Sequence, residues 1–201
     1  MKRISFIIMS LCVVASAMAQ SVVLNSEGRD AEYVKTILAR SEKNIKSLNL
    51  TGEKFEAVRN IVANRYFELN DIYKTENKAE RDSKLYRTHF AMPAQLGIYL
   101  TPEQVTAIKD NITYNKVKVT YEAYLDEIPS LKEEEKAQIY AWMVEARELA
   151  LDAGDSKGKH EAFNKYKGRV NNYLSKRGYD LNKEREAWFK RLEERKKNQK
   201  K

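Results

Sequence analysis

The sequence predicts an all-α protein, a multi-helix bundle of about seven helices. Three observations carry that expectation. Apolar residues recur at three-to-four spacing along most of the chain, the period of one helix face. Only 7 glycines and 3 prolines interrupt 201 residues, too few for an all-β sandwich, which turns every 8–12 residues or so. Strict apolar–polar alternation of strand type is rare, its longest run being Lys116 to Ala123. At 42% apolar residues the chain can build a core, and it is too apolar for a disordered polymer.

Residues 1–19 are expected to be a signal peptide outside the bundle. Lys2 and Arg3 precede the apolar stretch Ile4 to Ala15, and Ala17-Met18-Ala19 supplies small residues before Gln20. The stretch is too short for a membrane anchor, and no later segment reaches the ~20 apolar residues a transmembrane helix needs. Cys12 lacks the small residues a lipobox requires. The chain is therefore expected to be exported, to the periplasm or beyond the cell. Cleavage would remove the lone cysteine, so stability must come from packing and not from disulfides.

The helical domain is expected over residues 20–192. Val34, Ile37, Leu38, Ile45 and Leu48 mark the first helix; Phe55, Val58, Ile61, Val62, Leu69 and Ile72 mark the second. Leu85, Met92 and Leu96 give a third, bent near Pro93. Val105, Ile108, Ile112 and Val119 give a fourth, continuing to Leu125 as one central helix. Ile139, Met143, Ala146 and Ala150 give the fifth, Phe163, Val170 and Leu174 the sixth, and Trp188, Phe189 and Leu192 the seventh.

Boundary signals frame these stripes. Thr101-Pro102-Glu103-Gln104 reads as a capping box with proline at the first helical position. Ser130-Leu131-Lys132-Glu133 repeats the logic after Pro129, and Thr51 with Glu53 is a weaker version. Gly97 and Gly178 follow helical patterns and suit a left-handed C-terminal cap. The signals recur at an offset of 81 residues: Leu50 meets Leu131, Glu53 meets Glu134, Asp71 meets Asp152, Gly97 meets Gly178, and Leu100 meets Leu181. That offset predicts two related helical hairpins around the central helix.

The charge is unevenly placed. Residues 183–201 carry nine basic against four acidic residues, and the span from Gln20 to Asn182 is nearly neutral. Nucleic-acid binders carry their charge on the folded surface, so no nucleic-acid partner is expected, and 193–201 reads as a basic, solubilising tail.

Catalytic signals are weak. His89 and His160 lie in different segments, neither with a fixed carboxylate partner nearby in the sequence. Histidine-rich metal spacing, a cysteine nucleophile in the mature chain and a glycine-rich phosphate loop are all missing, so no cofactor or metal is expected. Acidic runs such as Glu133-Glu134-Glu135 read as solvated faces.

The candidate ligand-binding residues are aromatic. On a helical projection Tyr114, Tyr121 and Tyr124 share one side of the central helix, opposite its apolar stripe. Tyr166, Arg169 and Tyr173 lie at i, i+3 and i+7 on the margin of the sixth-helix stripe. Such faces serve either as core or as the wall of a cleft. Tyrosine faces suit the C–H faces and hydroxyls of a sugar ring, and an arginine fork suits a carboxylate or hydroxyl pair.

The runs Ile112-Thr113-Tyr114-Asn115, Val119 to Leu125, Ala141 to Glu148 and Phe163 to Leu174 resemble a family of secreted, helical bacterial proteins. That family is catalogued as a domain of unknown function and labelled sugar-binding, typical of saccharide-degrading bacteria. The resemblance spans roughly Leu38 to Trp188. It implies location and ligand class, an exported carbohydrate binder with a glycan partner, and it brings no functional residues of its own; the weak catalytic signals make the expected binder non-catalytic. Leu100-Thr101-Pro102-Glu103-Gln104 is separately similar to the Leu-Thr-x-x-Gln motif of helical periplasmic chaperones. That likeness implies the alternative, a periplasmic chaperone or adaptor.

Overall fold

The computed structural model describes residues 21–198, and within them the chain is all-α. The leader expected over 1–19 lies outside the described residues. Nine α-helices are described: α1 (Ala31–Ile45), α2 (Gly52–Tyr73), α3 (Lys78–Thr88), α4 (Ala91–Leu96), α5 (Pro102–Ile112), α6 (Lys116–Glu127), α7 (Glu133–Leu151), α8 (Ser156–Lys176) and α9 (Leu181–Asn198). The last of these takes in much of the expected tail, since it stays helical through Asn198.

Two breaks raise the count from seven to nine. The expected third helix divides at His89-Phe90, ahead of Pro93. The proline then sits in the first turn of α4, where its missing N–H costs no intrahelical bond. The expected central helix also does not exist as one rod. Thr113 donates its hydroxyl back to the Lys109 carbonyl at 2.8 Å, and Tyr114 and Asn115 follow with φ of 62° and 53°. Asparagine tolerates that left-handed region; a tyrosine there costs about 1–2 kcal/mol that tertiary contacts must offset.

Most ends follow from local chemistry. Asp30, Asn77 and Asp155 accept from the third helical amides of α1, α3 and α8. The Thr101–Gln104 box is formed in both directions, so Thr101 and Gln104 of the Leu-Thr-x-x-Gln run are engaged in starting α5. Around Pro129 the expected cap shifts. The helix begins after Lys132, whose amide donates to Glu135 Oε2 at 2.9 Å, and Ser130 is two residues too early. Thr51 makes no side-chain cap bond. Gly178 ends α8 with φ 96°, but Gly97 is right-handed, with φ −63°.

The 81-residue offset reappears in three dimensions. Helices α1, α2, α3–α4 and α5 map onto α6, α7, α8 and α9, and equivalent pairs pack: α1 on α2 as α6 on α7, and α1 on α5 as α6 on α9. Val58 and Ile139, Ile61 and Trp142, and Val62 and Met143 are buried at matching positions. Each unit has its own core. Ile45, Val58, Ile61, Leu96 and Ile108 fill the first; Ile128, Ile139, Met143, Phe163 and Leu174 fill the second. Each such side chain stabilises by about 1.5–3 kcal/mol on burial.

A polar seam joins the units. Arg65 of α2, 7% exposed, donates to Asp152 at 2.6 Å, and His89 Nδ1 lies 2.8 Å from the same carboxylate. Arg147 donates to Asp110 at 2.9 Å, and Lys109 to Glu148 at 2.9 Å. The Tyr73 ring lies on Gly154, where an added Cβ would come within 2.7 Å of it, and its hydroxyl donates to the Asp152 carbonyl. Leu151 of the second unit completes the first unit's core.

Candidate functional site

The six aromatic and arginine positions expected to share a cleft are divided among three places. Tyr114 sits in the left-handed turn between α5 and α6, 48% exposed, and stacks on His160 at 5.6 Å. It is not on a face with Tyr121 and Tyr124. Tyr121 packs edge-on against Tyr140 of α7 at 5.3 Å. Tyr124 is buried, and its hydroxyl donates to Asn171 Oδ1 of α8 at 2.8 Å. Burial, with the Glu127 charge beside it, pushes the Tyr124 phenol well above its ordinary value. This tyrosine joins α6 to α8 as core.

Tyr166, Arg169 and Tyr173 do come together. With Trp142 of α7 they line an open groove of about 720 Å³ between α7 and α8. The Arg169 guanidinium lies 4.7 Å from the Trp142 ring centroid and 5.9 Å from that of Tyr166. Tyr173 meets the indole edge-on at 5.2 Å. The stripe of Phe163, Val170 and Leu174 fixes α8 on α7, so the i, i+3, i+7 set one step round the helix falls at the groove rim.

The groove is polar as well as aromatic. Lys165, Asn172 and Lys176 complete its lining. Glu145 lies beside it, 3.4 Å from Arg169, with both side chains half exposed. A pair so exposed and so long holds the guanidinium weakly. Burial, then the neighbouring Glu145 carboxylate, raises the Tyr166 phenol, which stays a neutral donor. Chemically the groove offers flat rings, a guanidinium fork, two ammonium groups and an amide.

Sequence reasoning missed Trp142 as a lining residue because it sits on a core stripe and is 9% exposed. Its signal was the position one α7 turn before Ala146, level with Arg169.

Two further clusters bear on chemistry. His89, without a carboxylate partner nearby in the sequence, finds one in the fold, Asp152, 63 residues away. That carboxylate is shared with buried Arg65, and neither His89 nor Asp152 lines a groove, so the pair belongs to the seam. Lys159 is buried and donates to the Ile112 carbonyl at 3.1 Å, capping α5. The Tyr66 and Tyr114 rings lie 5.5 and 5.6 Å from its ammonium. Burial, with the Arg40 charge adding to it, lowers Lys159 to about 8. Among the described residues no three His, Cys, Asp or Glu side chains are grouped to hold a metal ion, and no helix is long and apolar enough to cross a membrane.

Fold and groove together define a two-unit, all-helical protein with an open aromatic–cationic surface. The chain belongs to the DUF3826 family, proteins of unknown function, whose family model matches residues 74–194. That span includes the whole α7–α8 groove. No curated protein matches the chain.

Proposed function

We propose that the protein binds carbohydrate without turning it over, in the groove between α7 and α8. The observation that carries this reading is the guanidinium of Arg169 held over Trp142 between two tyrosines, in a groove large enough for a short saccharide. Ring faces take sugar C–H surfaces, and the fork takes a carboxylate or a hydroxyl pair. An open groove of this kind holds its ligand in the micromolar-to-millimolar range, about −8 to −4 kcal/mol. A chain exported by saccharide-degrading bacteria, as the expected leader and the family resemblance imply, would meet such ligands outside the cytoplasm.

The test is a glycan array on the chain from Gln20 onward, followed by calorimetry with the saccharides it retains. Arg169→Ala and Tyr166→Ala are expected to weaken binding ~10-fold or more, the loss of one charge-assisted contact being worth ~1.5–3 kcal/mol. Because Arg169 is half exposed, its variant keeps its melting temperature. Unchanged affinity in both variants would overturn the assignment.

A further inference from the structure

A second depression of about 740 Å³ lies in the first unit, between residues 22–29, α2 and α3–α4. It is the α7–α8 groove again, one repeat earlier. Subtracting 81 from the eight residues that line the α7–α8 groove places seven of them in the lining of this depression. Trp142 becomes Ile61, Lys165 becomes Lys84, Arg169 becomes Thr88 and Tyr173 becomes Met92. Only Tyr166, which maps to Leu85, drops out.

The two depressions also share chemistry that the offset alone does not give. In the second unit an arginine lies over an aromatic ring, Arg169 on Trp142 at 4.7 Å. In the first, Arg29 lies over Phe67 at 4.6 Å, and both line the depression. A lysine stands at the equivalent place in each.

The first depression has a built wall. Asn64 accepts from the Asn25 amide at 2.8 Å and donates to the Val23 carbonyl at 2.9 Å, while Asn60 donates to the Val22 carbonyl at 2.8 Å. These two asparagines, one turn apart on α2, fasten an extended segment along the edge.

The charge selects the ligand. The α7–α8 groove is lined by three cations and no carboxylate. The first depression has four cations and two carboxylates, and the carboxylates pair with two of the cations: Glu68 with Arg65 at 2.6 Å, Asp71 with Arg29 at 2.5 Å. Lys84 shares an exposed pair with Glu80 at 2.6 Å, outside the lining, of the kind that holds an ammonium weakly. Arg87 is exposed at the rim, and no ion pair holds it among the described residues.

We infer that the depression bounded by residues 22–29, α2 and α3–α4 is a second saccharide site, and that both sites take acidic saccharides bearing uronate carboxylates. The ligand class rests on the reading of the α7–α8 groove; the site rests on the repeat and on its own geometry. The protein is then bivalent, with an apolar floor of Ile61 and Met92 in one site and an aromatic floor in the other.

The experiment is calorimetric titration of the chain from Gln20 onward with trigalacturonate, a probe short enough for one groove. It is run on the parent, on Lys84→Ala/Arg87→Ala and on Lys165→Ala/Arg169→Ala. Two equivalents are expected in the parent and one in each double variant. Tryptophan emission, followed in parallel, should report one equivalent, because Trp142 lines one site and no tryptophan lines the other. One equivalent in the parent, lost only with Lys165 and Arg169, would overturn the second site and leave the α7–α8 reading intact. One equivalent lost only with Lys84 and Arg87 would do the reverse. No uptake by the parent would overturn the acidic-saccharide class for both.

Discussion

Asp152→Ala tests whether the seam holds the two units together. Asp152 accepts from Arg65 at 2.6 Å and faces His89 Nδ1 at 2.8 Å, with side-chain exposures of 19% for Asp152 and 6% for Arg65. In the variant, Arg65 keeps Glu68 at 2.6 Å and Thr88 at 2.8 Å, but its other terminal nitrogen loses its acceptor inside the protein. Removing one partner of a buried pair costs ~3–5 kcal/mol, and the surviving Glu68 contact keeps the cost near the lower end, about 3 kcal/mol. At roughly 2–4 °C per kcal/mol for a chain of this size, the melting temperature falls by about 6–12 °C. Asp152→Asn preserves shape and one acceptor, so its loss is smaller. Urea unfolding followed by far-ultraviolet circular dichroism reads the change as a lower midpoint at constant slope. A loss below about 0.5 kcal/mol would show that Arg65 and Asp152 do not couple the units.

Two pH profiles follow from buried charges. Folding lowers Lys159 from an ordinary 10.5 to about 8, so between those values the unfolded chain binds more protons and stability rises with pH. The parent should gain about 2–3 kcal/mol over Lys159→Met from pH 8 to 10.5, and parallel profiles in urea would refute the assignment. Glu135 runs the other way. Burial pushes its carboxyl up, but hydrogen bonds from Tyr179, the Lys132 amide and Arg177 outweigh that and hold it at about 2. Its contribution is present above about 4.5 and disappears as pH falls toward 2, so the stability gap between the parent and Glu135→Gln should close over that window. A gap that persists at pH 2 would contradict it.

Much of the fold was legible because the punctuation is local. Asp30, Thr101, Asp155 and Gly178 act within a turn of the ends they set, and the apolar stripes name the buried faces. The bend near Pro93 was legible, but that it is a full break at His89-Phe90, and that the central helix breaks at all, was not. Neither His89-Phe90 nor Thr113-Tyr114-Asn115 contains glycine or proline, and a continuous stripe runs through each. Tyr114 adopts a positive φ because His160 and Lys159, more than forty residues on, receive its ring. Once α5 and α6 separate, Tyr114 parts from Tyr121 and Tyr124, and half of the expected cleft goes with it. Tyr166, Arg169 and Tyr173 were legible because they lie on one unbroken helix. Trp142 was not, since a buried indole on a core stripe looks the same whether or not its edge meets a groove. The seam was invisible for another reason: Arg65 and Asp152 stand 87 residues apart, and only packing brings them together.

The α7–α8 groove is tested most directly by fluorine NMR on protein labelled with 5-fluorotryptophan and titrated with trigalacturonate. Trp142 lines the groove, whereas Trp188 donates its indole N–H to Asp126 on α6, outside the lining, and serves as an internal control. The Trp142 resonance should move saturably, the Trp188 resonance should stay, and Arg169→Ala should shift the midpoint of the movement to ~10-fold or more higher saccharide. A Trp142 resonance that stays fixed at millimolar saccharide, or moves equally in Arg169→Ala, would contradict the account.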